Sequence, residues 1–86
     1  MRIVFMGTPD FAVATLDALY NAGFDILAAV SQPDKPVGRH AELKPTAVKM
    51  RASELGIPVM QPEKASDPEF IAGIKELKPD AIVVAA

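Results

Sequence analysis

The stretch Gln32-Pro33-Asp34-Lys35-Pro36-Val37-Gly38-Arg39-His40 holds the residues best suited to binding chemistry. Arg39, beside Gly38, offers a planar fork of donors matched to phosphate oxygens. Lys35 and Lys44 add two point charges whose phosphate contacts are salt-sensitive and blind to base sequence. The prolines restrict φ and lower the entropy lost on docking. Residues 35–51 carry Lys35, Arg39, Lys44, Lys49 and Arg51 against Glu42 alone. That is five of nine cationic residues and one of eleven acidic ones, a local charge of +4 on a remainder of −6. The net charge of −2 argues against a generally basic nucleic-acid binder. One basic segment on an acidic body suits a polyanion held at one defined place. Composition alone also fits an ordinary solvated loop.

A second candidate is the corner Gly7-Thr8-Pro9-Asp10. A dinucleotide-binding domain grips pyrophosphate at this position with G-x-G-x-x-G/A. Here Pro9 stands where the second glycine belongs, without an N–H and with added bulk. Asp10 puts a negative charge where a phosphate would meet the helix end. The residues argue against a dinucleotide site and read as a structural strand–helix corner. His40 is the sole histidine and reads as a solvated loop residue. Asp10, Asp34 and Glu42 are the neighbouring acids, and no spacing pairs two of them for acid/base work. No Ser/His/Asp arrangement, P-loop or metal-ligand cluster occurs. The absence of cysteine removes disulfides, thiolate metal sites and thiol nucleophiles.

The elements that must position these residues follow from periodicity. Residues 2–6 form a β-branched and aromatic run that stops at Gly7, a buried strand. Thr8 is placed to cap a helix, with Pro9 at its first position and Asp10 at the positive end of its dipole. Ala12, Leu16, Leu19 and Tyr20 make its apolar stripe, and Gly23 ends it. Ile26–Val30 is a second unbroken apolar run, as in strands covered on both faces. The polar stretch from Ser31 to Pro45 is too long and Pro-rich for a plain turn, and reads as a functional loop. Thr46 caps a second helix, with Val48, Ala52 and Leu55 on one face and Gly56 after it. Pro58–Met60 is a short third strand. Ser66-Asp67-Pro68-Glu69 carries both a candidate capping box and a proline near the helix start. Phe70, Ile71, Ile74 and Leu77 face inward, Lys78-Pro79-Asp80 stops the helix, and Ala81–Ala86 is a fourth apolar strand. No repeats are seen.

The order βαβαβαβ predicts an α/β fold, a doubly wound parallel sheet with helices on both faces. With 86 residues the core is thin, since a chain this size buries only about 60–65% of its unfolded surface. No apolar run approaches the ~20 residues of a membrane span, and the start Met1–Met6 is too short for a secretory signal. The expectation is a cytoplasmic protein without membrane association. The last apolar strand ends the chain abruptly, which suggests a truncated domain that is marginal alone and self-associates through that strand.

Five segments carry a family resemblance: MRIVFMGTPDF at 1–11, SQPDKPVGR at 31–39, LKPTAVK at 43–49, GIPVMQPEK at 56–64 and KPDAIVVAA at 78–86. Together they closely resemble the methionyl-tRNA formyltransferase family over essentially the whole chain. The resemblance implies that residues 1–86 are the N-terminal portion of a Rossmann-like formyltransferase domain. The rest of that domain and a C-terminal domain would be absent. It implies transfer of the formyl group of 10-formyltetrahydrofolate to the α-amine of methionyl initiator tRNA, by a complete enzyme that is a monomer. The Pro-rich loop would contact the tRNA acceptor end, with Arg39, Lys35, Lys44 and Gly38 as its tRNA-binding residues; Gly7, Thr8, Pro9 and Asp10 would be structural. One departure is that His40 and Ala41 follow Gly38-Arg39, where the family often has a second glycine or a small basic run.

The family's chemistry rests on an Asn-x-His motif and a later Asp beyond the fourth strand. The expectation is therefore no catalytic residue, bound folate or metal in this chain. The nucleophile is the substrate's amine, so the enzyme positions it, removes a proton and stabilises the tetrahedral oxyanion. Two alternatives stand beside this reading. One is a related one-carbon formyltransferase acting on a sugar nucleotide, which needs no basic loop. The other is a small α/β self-associating binding module.

Overall fold

The computed structural model describes residues 1–8, 10–40 and 42–85, with Lys35 and Val37 described by backbone alone. The elements are β1 (Arg2–Gly7), α1 (Ala12–Asn21), β2 (Asp25–Val30), β3 (Lys35–Val37), β4 (Glu42–Lys44), α2 (Ala47–Glu54), β5 (Val59–Met60), α3 (Pro68–Leu77) and β6 (Ala81–Ala85). Four strands form a parallel sheet in the order β5-β2-β1-β6. The first strand is central, and its neighbours follow on both sides. That is the start of the doubly wound order, in which the direction of winding reverses between the first and fourth strands.

The unbroken apolar runs occupy the middle of the sheet because they are covered on both faces. Ile3, Phe5, Ile26 and Ala29 pack with Ala12 and Leu16 of α1, Val48 and Ala52 of α2, and Ile57. Full burial of Leu16 contributes about 1.5–3 kcal/mol. The register of β1 on β2 shifts between Ile3 and Val4, so Val4 pairs with Ala28 and Met6 with Val30. On the opposite face Val4, Met6 and Ile82 look towards α3 across a cleft of ≈ 360 Å³ that Phe70, Ile71 and Ile74 also line. Helices therefore cover both faces, as the alternation predicts. The inward stripe of α3 is only partly achieved: Phe70, Ile74 and Leu77 are half-buried, and Ile71 is exposed. Periodicity sets which side of α3 is apolar but not how completely the sheet covers it.

Helix ends follow local chemistry, with two corrections. Thr46 caps α2 by accepting from Lys49 N at 3.1 Å. Asp67, not Ser66, caps α3, accepting from Glu69 N at 2.9 Å, with proline next in the chain. Thr8 caps nothing, because α1 starts at Ala12 behind Phe11, with no side-chain cap. The expectation for Pro9 lies outside the described residues. Gly23 N donates to Tyr20 O (3.1 Å) and Phe24 N to Leu19 O (3.3 Å), closing α1.

Arg2 anchors the last strand. Its guanidinium donates to Leu77 O (2.8 Å) and Lys78 O (3.4 Å), placing a cation at the negative end of α3. Its backbone exchanges bonds with Asp80: Arg2 N to Asp80 Oδ2 (2.8 Å) and Asp80 N to Arg2 O (2.7 Å). Among the described residues β6 pairs with β1 alone, and on one face of this edge strand Ile82 is 50% and Val84 65% exposed.

Candidate nucleic-acid interface

The long loop after β2 is a built element. β3 and β4 form an antiparallel hairpin in which Lys35 pairs with Lys44, Pro36 with Leu43 and Val37 with Glu42. Sequence reading missed these strands because each is three residues long, one contains proline, and all of β4 is exposed. Gly38 starts the turn at φ +79°, a conformation that a side chain resists. The backbone register sets position 35 directly opposite Lys44.

Arg39, His40 and Lys44 are all exposed. With Gly38 and Glu42 they line a shallow concavity of ≈ 210 Å³ at the hairpin turn. Neither Arg39 nor Lys44 forms an ion pair among the described residues. The other two cations of the basic segment are engaged. Lys49 Nζ binds Asp34 Oδ2 at 3.0 Å, while Arg51 binds Asp17 at 2.7 Å and Glu54 at 2.8 Å. The hydrogen bonds to Asp17 and then Glu54 raise the pKa of Arg51. The +4 segment thus narrows to the hairpin, with Arg39 and Lys44 as its described cations; the side chain of Lys35 lies outside the described residues.

The foot of the hairpin is a polar cluster. Gln61 Nε2 donates to Asp34 Oδ1 (2.7 Å) and Gln32 O (3.1 Å). Lys49 Nζ reaches both Asp34 oxygens (3.2 and 3.0 Å). The hydrogen bond from Gln61, then that from Lys49, holds the Asp34 carboxyl below its ordinary pKa. On the outgoing side Thr46 Oγ1 donates to Ser31 Oγ at 3.0 Å. Ser31 is the one buried polar residue among those described. Thr8 joins this foot, accepting from Gln32 N at 3.0 Å, which explains its absence from the helix cap. Water screens such partly exposed pairs, so they set geometry more than they add stability.

Gln61, Asp34 and Thr8 are the positions whose part in this cluster sequence reasoning missed. A signal existed: Gln32-Pro33-Asp34-Lys35 and Gln61-Pro62-Glu63-Lys64 are near-copies that leave adjacent parallel strands side by side. Each proline ends its strand by withholding a ladder N–H.

Gly7, Thr8, Ser31, Gln32, Glu63, Val84 and other residues line a crevice of ≈ 480 Å³. It lies outside the carboxyl ends of β1, β2 and β6, where doubly wound sheets bind ligands. Asp10 is exposed beyond the end of β1. Among the described residues no three His, Cys, Asp or Glu side chains are grouped to hold a metal ion. No helix among them is long and apolar enough to cross a membrane.

A β5-β2-β1-β6 parallel sheet, helices on both faces and a basic hairpin inserted after the second strand define a Rossmann-like α/β domain. The profile of the formyl transferase family matches residues 1–86, and the chain belongs to that family. Over its full length the chain is 55% identical to the methionyl-tRNA formyltransferase of Geobacter metallireducens and 51% identical to that of Ruminiclostridium cellulolyticum. It is 47% identical to the methionyl-tRNA formyltransferase of Parabacteroides distasonis over an 87-residue alignment. The chain spans 27–28% of the length of these relatives.

Proposed function

We propose that this chain is the N-terminal portion of the formyltransferase domain of a methionyl-tRNA formyltransferase, and that its own contribution is to grip the acceptor end of the tRNA. The whole enzyme would move the formyl group of 10-formyltetrahydrofolate to the amine of methionyl initiator tRNA. Its localisation would be cytoplasmic and its working form a monomer. The observation that carries the reading is the hairpin: Arg39 and Lys44 are exposed and form no ion pair among the described residues, while Lys49 and Arg51 are held by carboxylates. In this reading Arg39 and Lys44 contact phosphates, Lys35 adds a third cation, and Gly38 permits the turn that presents them. Gly7, Thr8, Pro9 and Asp10 serve structure, consistent with Thr8 bonded to the hairpin foot. The sequence contains no Asn-x-His, so the formyl-transfer step and folate binding are not assigned to these residues.

The test is a salt titration of binding to an RNA minihelix that ends in a tRNA acceptor stem. Each phosphate contact contributes about one to the slope of log K against log salt. Arg39→Ala and Lys44→Ala should each weaken binding and flatten that slope by about one. Unchanged slopes, or no RNA binding by the unaltered chain, would remove the proposal.

The exposure of Ile82 and Val84 on the edge strand favours a second property, self-association of this chain through β6.

A further inference from the structure

We infer that Gln61 is a positioning residue, which clamps the foot of the basic hairpin to the sheet and so sets where Arg39 and Lys44 present their charges. This rests on the reading that the hairpin grips RNA, but its anchoring claim is separately measurable. The hairpin pairs only with itself among the described residues, as a two-stranded sheet apart from the main one. An isolated two-stranded hairpin is marginal in water. Its orientation must therefore come from its two connections to the body. The outgoing connection is short and is held by Thr46 at the start of α2. The incoming one, residues 31–34, is held by Thr8, Gln61 and Lys49.

Of these, Gln61 makes the widest bridge. One amide nitrogen donates to the backbone of Gln32 and to the carboxylate of Asp34, on either side of Pro33. Gln61 itself follows β5, whose Met60 O accepts from Ser31 N at 3.0 Å. The side chain thus continues the β2–β5 ladder past the point where two prolines stop the backbone from doing so. The same nitrogen steers Asp34 towards Lys49, at 3.0 Å. Lys49 is thereby kept on the body of the domain, and among the described cations of residues 35–51 only Arg39 and Lys44 stay outside an ion pair. The same cluster reaches the strand-end crevice, since Gln32 and Thr8 line it. A ligand seated there would meet the backbone that orients the hairpin.

The experiment compares the unaltered chain with Gln61→Ala by amide hydrogen exchange and by acceptor-minihelix binding. Exchange of the 42–44 amides should rise by about tenfold, with that of Val4 and Phe5 unchanged. RNA affinity should fall by about tenfold at constant salt slope, because no phosphate contact is lost. The paired exchange Asp34→Asn with Gln61→Glu swaps donor for acceptor between the two positions and should recover part of the protection. Equal loss of protection in β1 would mean general destabilisation and overturn the positioning role. Unchanged exchange at 42–44 would overturn it as well. If the unaltered chain fails to bind RNA, the proposed function falls while the exchange data still decide the anchoring claim.

Discussion

Gly7 ends β1 directly beneath the start of α1, and a side chain there has nowhere to go. A Cβ built at this position would lie 2.9 Å from Ala12 Cβ and 3.2 Å from two ring carbons of Phe5. Ala12 and Phe5 are both fully buried, so neither can swing into solvent. Relief requires lifting α1 or turning the Phe5 ring out of its packing. Overpacking a close-packed core by one methyl typically costs about 1–3 kcal/mol, and the rigidity of both neighbours puts Gly7→Ala in that range. For a domain of this size each kcal/mol lowers the melting temperature by roughly 4–8 °C. The reciprocal variant Ala12→Gly removes the nearest obstacle at its own cost, about 1 kcal/mol in helix propensity plus ~0.8 for a buried methyl. The pair Gly7→Ala/Ala12→Gly should therefore be less damaging than the two changes added together, by at least about 0.5 kcal/mol. Urea unfolding with a constant m-value measures all four corners of this cycle. Additivity within about 0.3 kcal/mol, or a neutral Gly7→Ala, would refute the close-approach account of the corner.

Acid should loosen the hairpin foot in a defined window. The folded pKa of Asp34 is lowered, so its contribution is present above the ordinary carboxylate value of about 3.9 and is lost as pH falls through the folded value. The side-chain amide resonance of Gln61 should thus stay constant at neutral pH and shift only below that ordinary value; a midpoint at about 3.9 or above contradicts the cluster, and Asp34→Asn should abolish the shift. On the edge strand, Val84→Lys should leave stability within about 0.5 kcal/mol of the unaltered chain, since Val84 is largely exposed. It should also abolish concentration-dependent self-association in sedimentation experiments, because lysine blunts an open edge. A dimer that survives the substitution places the contact elsewhere.

Much of the fold is legible where one kind of signal decides it. Ile26–Val30 reads as a strand covered on both faces because nothing polar interrupts it, and β2 lies between β1 and β5. Thr46 reads as a cap and is one. Thr8 misleads because a threonine before a helix has the same composition as a cap. Only the approach of Gln32 N, 24 residues away, shows where its oxygen is used. The α3 face is legible in its direction and not in its depth, which depends on how the sheet opposite is covered. In the candidate site the cations were readable from type and crowding. Which of them are already paired was not, since Lys49 meets Asp34 across 15 residues and Arg51 meets Asp17 across 34. Gln61 contacts Asp34 across 27 residues, a distance on which propensity and periodicity are silent.

Contact between the hairpin and RNA is read out by amide hydrogen exchange of this chain with and without an RNA acceptor minihelix. Added protection is expected across residues 38–44, carried by the turn and by β4, with α3 and β6 unaffected. Protection confined to α3 or to the apolar edge strand, with the hairpin unchanged, would contradict that contact.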